Sequence, residues 1–321
     1  MIKVSVIIPV YNEEKHIEKC LNSLINQTYP INQMEWIFID GNSNDKTVDC
    51  IKKYIAKYPI KILHNKKRKT PISINMGIKD SLGDYIIRFD AHSEFKYDYI
   101  DKCVRYLESG IADNVGGVIE TKAYGFIGNA ISKVLSSKFG VGESKFRIGS
   151  ESGYVDTVPF GAFKKDLFNR IGYFNEDLLR SEDNEFNSRI RKNGGRVYLA
   201  NDIQSIYYCR SNIRDLLKMA LLNGNSLFRT LKYDKHAMGI RHFIPFFFLL
   251  SLIIMPILSL NNKFFKICFI AELCSYLGLD VYYSFINKTG KEGIASFFIF
   301  PLFHITYGIG SLLGLLGKEL Y

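Results

Sequence analysis

The sequence predicts an α/β protein with a doubly wound sheet, followed by a hydrophobic helical region at the C-terminus. Three observations carry this. Short β-branched runs at 4–10, 36–39, 60–63 and 85–89 alternate with segments whose apolar residues recur every three or four positions. Polar residues suited to chemistry, Asn12, Glu13, Asp40, Asp90 and His92, stand just past the ends of those runs. The last quarter of the chain, roughly, is far more apolar than the rest.

Residues 4–10 form a nearly continuous apolar run, as expected of a parallel strand covered on both faces. Ile17, Cys20, Leu21, Leu24 and Ile25 then repeat with helical spacing, until Thr28, Tyr29 and Pro30 break the pattern. Residues 36–39 make a second buried strand ending at Asp40, and 41–45 a turn. Val48, Ile51, Ile55 and Tyr58 mark the next helical stripe, with strands following at 60–63 and 85–89. The βαβαβ order implies right-handed crossovers, and ligands in such sheets bind beyond the carboxyl ends of the strands. No GxGxxG follows the first strand and no GxxxxGK[ST] occurs, which argues against dinucleotide and P-loop chemistry.

Composition narrows the class. With 47% hydrophobic residues, 14% aromatic residues and 8 prolines in 321 positions, disorder is excluded. The six cysteines form no CxxC pair and no zinc spacing with histidine, as suits a reducing cytosol. A net charge of +10 fits nucleic acid, an anionic membrane or a phosphorylated substrate; nucleic acid is disfavoured because no RNA-binding aromatic signature or zinc finger accompanies the charge. The N-terminal apolar run is too short for a signal peptide and ends at Pro9.

Residues 242–260 contain no acid or lysine and 297–317 are uncharged, each about the 20 residues that a spanning helix needs. Residues 264–285 are similar but carry Glu272 and Asp280. Pro245, Pro256 and Pro301 leave re-entrant or interfacial helices open, beside the alternative of a buried helical subdomain. Lys232, Lys235 and Arg241 would keep the preceding domain cytoplasmic, so the expected location is the cytoplasmic membrane.

Residues 6–13 (VIIPVYNE), 37–45 (IFIDGNSND), 86–92 (IIRFDAH) and the late acidic Ser181-Glu182-Asp183 together resemble the family 2 glycosyltransferases. The DAH form and the apolar tail are most similar to the succinoglycan-type enzymes that extend lipid-linked sugars. The resemblance implies a GT-A fold, a Rossmann-like, mostly parallel mixed sheet flanked by helices. It divides the chain into a catalytic domain at 1–236 and a membrane-associated region at 237–321. Residues 1–115 would be the nucleotide-sugar-binding half and 116–236 the acceptor-binding half.

The resemblance also implies roles. Asp40 would contact the uracil or ribose of a UDP-sugar, with Pro9, Tyr11 and Glu13 completing the pocket; the plainer reading is a carboxylate capping the 42–45 turn. Asp90 and His92 replace the family's DxD, so Asp90 would hold a divalent cation on the diphosphate. His92 either ligates it, shifting preference from Mg²⁺ toward Mn²⁺, or hydrogen-bonds phosphate or a metal-bound water. Asp183 would be the general base and Glu182 an orienting neighbour, whereas an isolated acidic pair at a helix start would be a cap. Asn75 and Gly77 resemble the family's N-x-G, with Ile74 where an arginine is usual, so Lys69 or Arg88 would supply that charge. Residues 156–162 (DTVPFGA) read as an acceptor loop or as an ordinary turn, and the basic run 66–69 as a solvated loop or an anion contact. Arg229, in 223–229 (NGNSLFR), would cover the diphosphate, in competition with Arg210 and Arg214.

The expected activity is inverting, metal-dependent transfer of one sugar from a UDP-sugar to a polyprenyl-diphosphate-linked acceptor in polysaccharide synthesis. The rival is a membrane-anchored nucleotide-sugar-binding protein without catalysis, against which Glu182 and Asp183 argue. A channel-forming synthase is disfavoured by the missing QxxRW motif and the few hydrophobic stretches.

Overall fold

The computed structural model describes residues 1–286 and 290–320. The β-branched runs become the parallel half of a nine-stranded sheet: β1 (Val4–Val10), β2 (Met34–Asp40), β3 (Ile60–His64) and β4 (Tyr85–Arg88). Helices α1 (Ile17–Ile25), α2 (Thr47–Lys52) and α3 (Thr70–Asp80) connect them. β1 pairs in parallel with β2 and β4, and β2 with β3. Residues 4–8 and 34–40 are buried on both faces, as the uninterrupted apolar runs require. Gly77 lets α3 lie close on β1, since a Cβ there would come 2.7 Å from Ile7 Cγ2.

Beyond β4 the sheet turns antiparallel. The later elements are β5 (Ser93–Phe95), α4 (Tyr99–Glu108), β6 (Asn114–Lys122), α5 (Gly125–Leu135), the single-turn α6 (Lys138–Val141) and α7 (Lys145–Ile148), and β7 (Gly153–Tyr154). Then come β8 (Ala162–Lys164), α8 (Asp166–Ile171), α9 (Glu182–Lys192) and β9 (Val197–Tyr208). The strand order is β3-β2-β1-β4-β8-β6-β9-β5, with β7 on β9, and β4–β8, β6–β8, β5–β9 and β7–β9 are antiparallel. The sheet is therefore mixed, parallel through β4 and antiparallel in these later pairs.

The chain forms two compact units, Met1–Glu120 with Gly149–Tyr208, and Thr121–Ile148 with Cys209–Tyr321. In the first, Phe163, Phe168, Phe174 and Phe186 stack together, with the Phe174 and Phe186 centroids 4.3 Å apart, and this cluster seats α9.

The second unit is helical: α5 to α7, α10 (Ile213–Tyr233), α11 (Ile244–Ser259), α12 (Lys263–Phe285) and α13 (Gly290–Leu315). The 242–260 stretch yields a helix of only 16 residues, because Pro245 stands in its first turn. Among the described residues only α13 is long and apolar enough to cross a membrane, by length and composition. Its face toward α10 is built of glycine. A Cβ on Gly310 would fall on the Leu221 carbonyl oxygen, and one on Gly224 on that of Tyr307. Gly310→Val should therefore lower the melting temperature, by an amount matching about 1–3 kcal/mol of overpacking. Gly278→Ala, where nothing lies within 4 Å of the added carbon, should instead raise it slightly, since alanine is favoured over glycine in a helix interior by up to about 1 kcal/mol.

Candidate active site

Register brings the strand-end residues together. Val10 lies opposite Asp40, Asp40 opposite His64, and Ile7 opposite Arg88. The loops after β1 and β2 bond to each other. Asn12 and Asn42 take left-handed conformations with φ of 55° and 65°, which asparagine tolerates better than most residues. Asn12 N–H donates to Ser43 Oγ (3.0 Å), Asn44 N–H to Asn12 Oδ1 (2.9 Å) and Glu13 N–H to Thr47 Oγ1 (2.7 Å).

Asp40 is buried at the end of β2, accepts from Ser43 N–H at 3.0 Å and lies 3.4 Å from His64 Nδ1. One of its oxygens thus does cap the 42–45 turn. Pro9 lies within β1, opposite Ile39, and Tyr11 is exposed, with the Arg68 guanidinium 5.4 Å from its ring centroid. Arg68, at φ 57°, is the member of the basic run that lies beside Tyr11. Lys69 instead donates to the Glu176 carbonyl at 3.4 Å.

The centre of the site is a cation among carboxylates. Arg88 ends β4, and its Nη1 donates to both oxygens of Asp183, at 2.7 and 2.8 Å. The same nitrogen lies 3.6 Å from Glu182 Oε1, and Nη2 reaches Asp90 Oδ1 at 3.4 Å. The buried Nε finds no acceptor among the described residues. Two elements distant in sequence, β4 and the start of α9, are therefore joined by one side chain. An arginine inside the apolar run IIRFD was the available signal, since a charge on a buried strand requires partners.

His92 Nδ1 lies 3.1 Å from Glu13 Oε1, a pairing that the motifs taken one by one did not reveal. Burial lowers the His92 pKa, but the Glu13 hydrogen bond and the charges of Tyr207, Asp90 and Glu13 outweigh it and raise the value to about 9. With Nδ1 engaged, only Nε2 is left for another partner. Glu182 is pushed up to about 7, first by burial and then by Asp183, against the opposing Arg88. Burial likewise raises Asp183, opposed by Arg88, although its side chain is 38% exposed.

Glu13, Asp90 and Asp183, joined by Glu182 when it is ionised, outnumber Arg88 and His92, an excess of negative charge that a divalent cation would offset. No group of three or more His, Cys, Asp or Glu ligands exists among the described residues. A hard cation, if held here by Asp90 alone, would need diphosphate and water for its remaining ligands.

Two expected residues have other partners. Asn75 is buried, donates to the Phe174 carbonyl (2.9 Å) and Glu176 Oε1 (3.0 Å), and accepts from Phe174 N–H (3.0 Å). It thereby ties α3 to the 174–176 loop. Arg229 belongs to the second unit and pairs there with Glu319 at 2.7 Å. In the 156–162 loop, Phe160 has φ 47°, and a Cβ on Gly161 would meet the Phe163 ring at 2.5 Å and Asn114 Oδ1 at 2.6 Å, so packing alone demands that glycine.

The family model for Glycosyl transferase family 2 matches residues 5–172. The chain is a family 2 glycosyltransferase. It is 34% identical over 267 residues, 79% of its length and 82% of the relative's, to a dolichyl N-acetyl-α-D-glucosaminyl phosphate 3-β-D-2,3-diacetamido-2,3-dideoxy-β-D-glucuronosyltransferase of Methanococcus voltae. It is 26% identical to the succinoglycan biosynthesis protein ExoA of Rhizobium meliloti, over 75% of this chain and 73% of that one. Among solved structures, the mannosyltransferase PcManGT of Pyrobaculum calidifontis in complex with GDP-Man and Mn²⁺ aligns with a TM-score of 0.67 at 18% identity, covering 99% of this chain and 88% of that one. Staphylococcus aureus TarS 1–349 with UDP aligns at 0.53 and 19% identity, covering 98% and 92%. These likenesses establish the GT-A fold of the transferase.

The raised Glu182 pKa has a consequence for stability. Between its ordinary value of 4.5 and about 7, the folded state binds more protons than the unfolded one, so stability falls as pH rises through that window. Glu182→Gln removes this titration. In protein free of metal and nucleotide, the melting temperature of the variant should gain on that of the wild type from pH 5 to pH 8; an unchanged gap would show that the ionised carboxylate is not penalised.

Proposed function

We propose that this family 2 enzyme is an inverting, metal-dependent transferase that moves one sugar from a UDP-sugar to a polyprenyl-diphosphate-linked glycan at the cytoplasmic membrane. The observation that carries the reading is the Arg88 cluster, which unites Asp90 with Asp183 and Glu182 at the carboxyl ends of the strands. A protein that only bound nucleotide sugar would have no use for a carboxylate pair held beside Asp90. The relative from Methanococcus voltae bears the name of an enzyme acting on a dolichyl-linked sugar phosphate, which supports a lipid-linked acceptor, and ExoA that of succinoglycan biosynthesis, which supports a role in polysaccharide synthesis. UDP and Mn²⁺ in the structural neighbours support the donor and the metal.

Asp40, Tyr11, Pro9 and Glu13 hold the nucleoside at the ends of β1 and β2, with Arg68 beside Tyr11. Asp90 would hold the cation, which neutralises the charge developing on the departing diphosphate. His92, oriented by Glu13, offers Nε2 to a phosphate oxygen. Asp183 accepts the proton of the acceptor hydroxyl as that oxygen attacks the anomeric carbon. Burial brings its pKa closer to neutrality, as a general base requires, while Arg88 keeps it ionised and oriented. One displacement suffices, so no covalent intermediate is needed.

Asp183→Asn preserves shape but cannot take the proton. Turnover should fall by about 10² to 10⁴ with UDP affinity nearly unchanged; loss of UDP binding would place this carboxylate in the donor site. Glu182→Gln should cost less. For Asp90→Ala, calorimetry should show that Mn²⁺ no longer strengthens UDP binding although the thermal melt stays cooperative, whereas retained Mn²⁺-dependent turnover would refute the metal assignment.

A further inference from the structure

The formal charge of +10 is not spread evenly. Met1–Glu120 with Gly149–Tyr208 carry 25 Lys and Arg against 25 Asp and Glu, while Thr121–Ile148 with Cys209–Tyr321 carry 17 against 7. The helical unit therefore holds the entire excess. It also carries long apolar stripes: Phe264, Ile267, Ile270, Val281 and Phe285 are exposed along α12, and Ile294, Phe298, Leu302, Ile309 and Leu316 along and just past α13. These positions recur at helical spacing, so each helix presents one apolar face along its whole length.

We infer that the helical unit seats flat on a bilayer surface rich in anionic lipid, with α11, α12 and α13 lying in the interfacial plane and none of them crossing. This deepens the membrane association proposed above.

The partners of α13 decide against a span. At its start Asn129 donates to Glu292 Oε1 (2.9 Å), and Ser296 Oγ reaches the Ala130 carbonyl of α5 (3.4 Å). Its second half packs on α10 through Gly310 and Gly314 and on α11 through Gly308, and past its end Asn225 Nδ2 donates to the Lys318 carbonyl at 2.8 Å. Arg229 then pairs with Glu319 at 2.7 Å. The helix is thus flanked over its length by α5 and by α10, which carries Arg214, Asp215, Lys218, Arg229 and Lys232. Pushing α13 through hydrocarbon would drag those charges with it, at a cost that such residues meet only when paired or facing a cavity.

The hairpin of α11 and α12 does not span either. Sixteen residues of α11 reach about 24 Å against a core of about 30 Å, and Asn261, Asn262 and Lys263 occupy its tip. The exposed apolar faces of α12 and α13 are backed by packed protein within the unit that carries the positive charge, and an anionic bilayer surface suits them, since lysine stems can lie along the apolar surface with their charges in water. A second copy of this chain is a poorer occupant, because the units that meet would each bring a charge of +10.

The test uses the full-length chain. With Cys268 and Cys274 changed to Ser, the remaining cysteines are buried, and single reporters are placed as Asn261→Cys, Lys291→Cys and Lys318→Cys, all exposed polar positions outside the apolar stripes. In membranes sealed with the cytoplasmic face outward, a membrane-impermeant maleimide should modify all three from the outside. Sedimentation with phosphatidylcholine vesicles should tighten by about tenfold or more when phosphatidylglycerol is added, and weaken with salt. Any reporter that reacts only when the reagent reaches the opposite face, or only once the bilayer is dissolved, overturns the in-plane arrangement. Failure to bind either vesicle, with dimers in solution, overturns it in favour of a second copy. Sugar transfer in detergent is read separately, and its loss would count against the proposed activity and not against the seating.

Discussion

The Arg88 guanidinium is the interaction on which the catalytic unit depends. A buried arginine is costly unless its charge is met, and here the end of a parallel strand and the first turn of α9 meet it together. The bonds from Nη1 to both carboxylate oxygens fix the orientation of Asp183, and the longer contact to Asp90 keeps the proposed metal carboxylate in the same group. Because three carboxylates share one cation, their charge is incompletely balanced, and the upward shifts of Glu182 and Asp183 express that imbalance together with burial. An incoming cation and diphosphate would enter a site already arranged for their charges.

Rigid packing on the other side of α9 makes this arrangement possible. Phe186 sits among Phe163, Phe168 and Phe174, while Arg189 closes on Glu185 at 2.6 Å and reaches the Ile171 and Tyr173 carbonyls at 2.8 and 2.7 Å. The polar chain from Asn114 through Asn187 to Thr157 anchors the same helix to the loop before β8. With α9 held by aromatic packing and by buried hydrogen bonds, its first turn has little freedom left, and its two acids keep their place beside Arg88. The donor side uses a different device, in which left-handed asparagines and bonds from the backbone of each loop to a side chain of the other lock the loops after β1 and β2 together.

The helical unit follows another rule. Glycines at the α10–α13 contact bring backbones to a separation that no side chain permits, so this pair is held by close packing and by the few polar bonds of Asn225 and Arg229. What remains on the outer faces of α12 and α13 is apolar and unpaired with protein. The concentration of positive charge in this unit gives those faces a matching environment in anionic lipid.

Much was legible in the sequence because strand and helix patterns are local. The first four strands, their crossover helices and the acids after β2 and β4 follow from runs of β-branched residues and from periodicity, which need no knowledge of distant contacts. The four motifs were enough to show the family. The antiparallel half of the sheet was not legible, since β7 and β8 have two and three residues and carry no periodic signal. Nor was the Arg88 cluster, because residues 88 and 183 are brought together only by the closure of β4, β8 and α9 around a common core, a matter of packing that no spacing encodes. The same holds for α13: its length and hydropathy read as a membrane span, and only the charged helix packed against it points to one lying in the plane, because burial is a property of neighbours and not of composition.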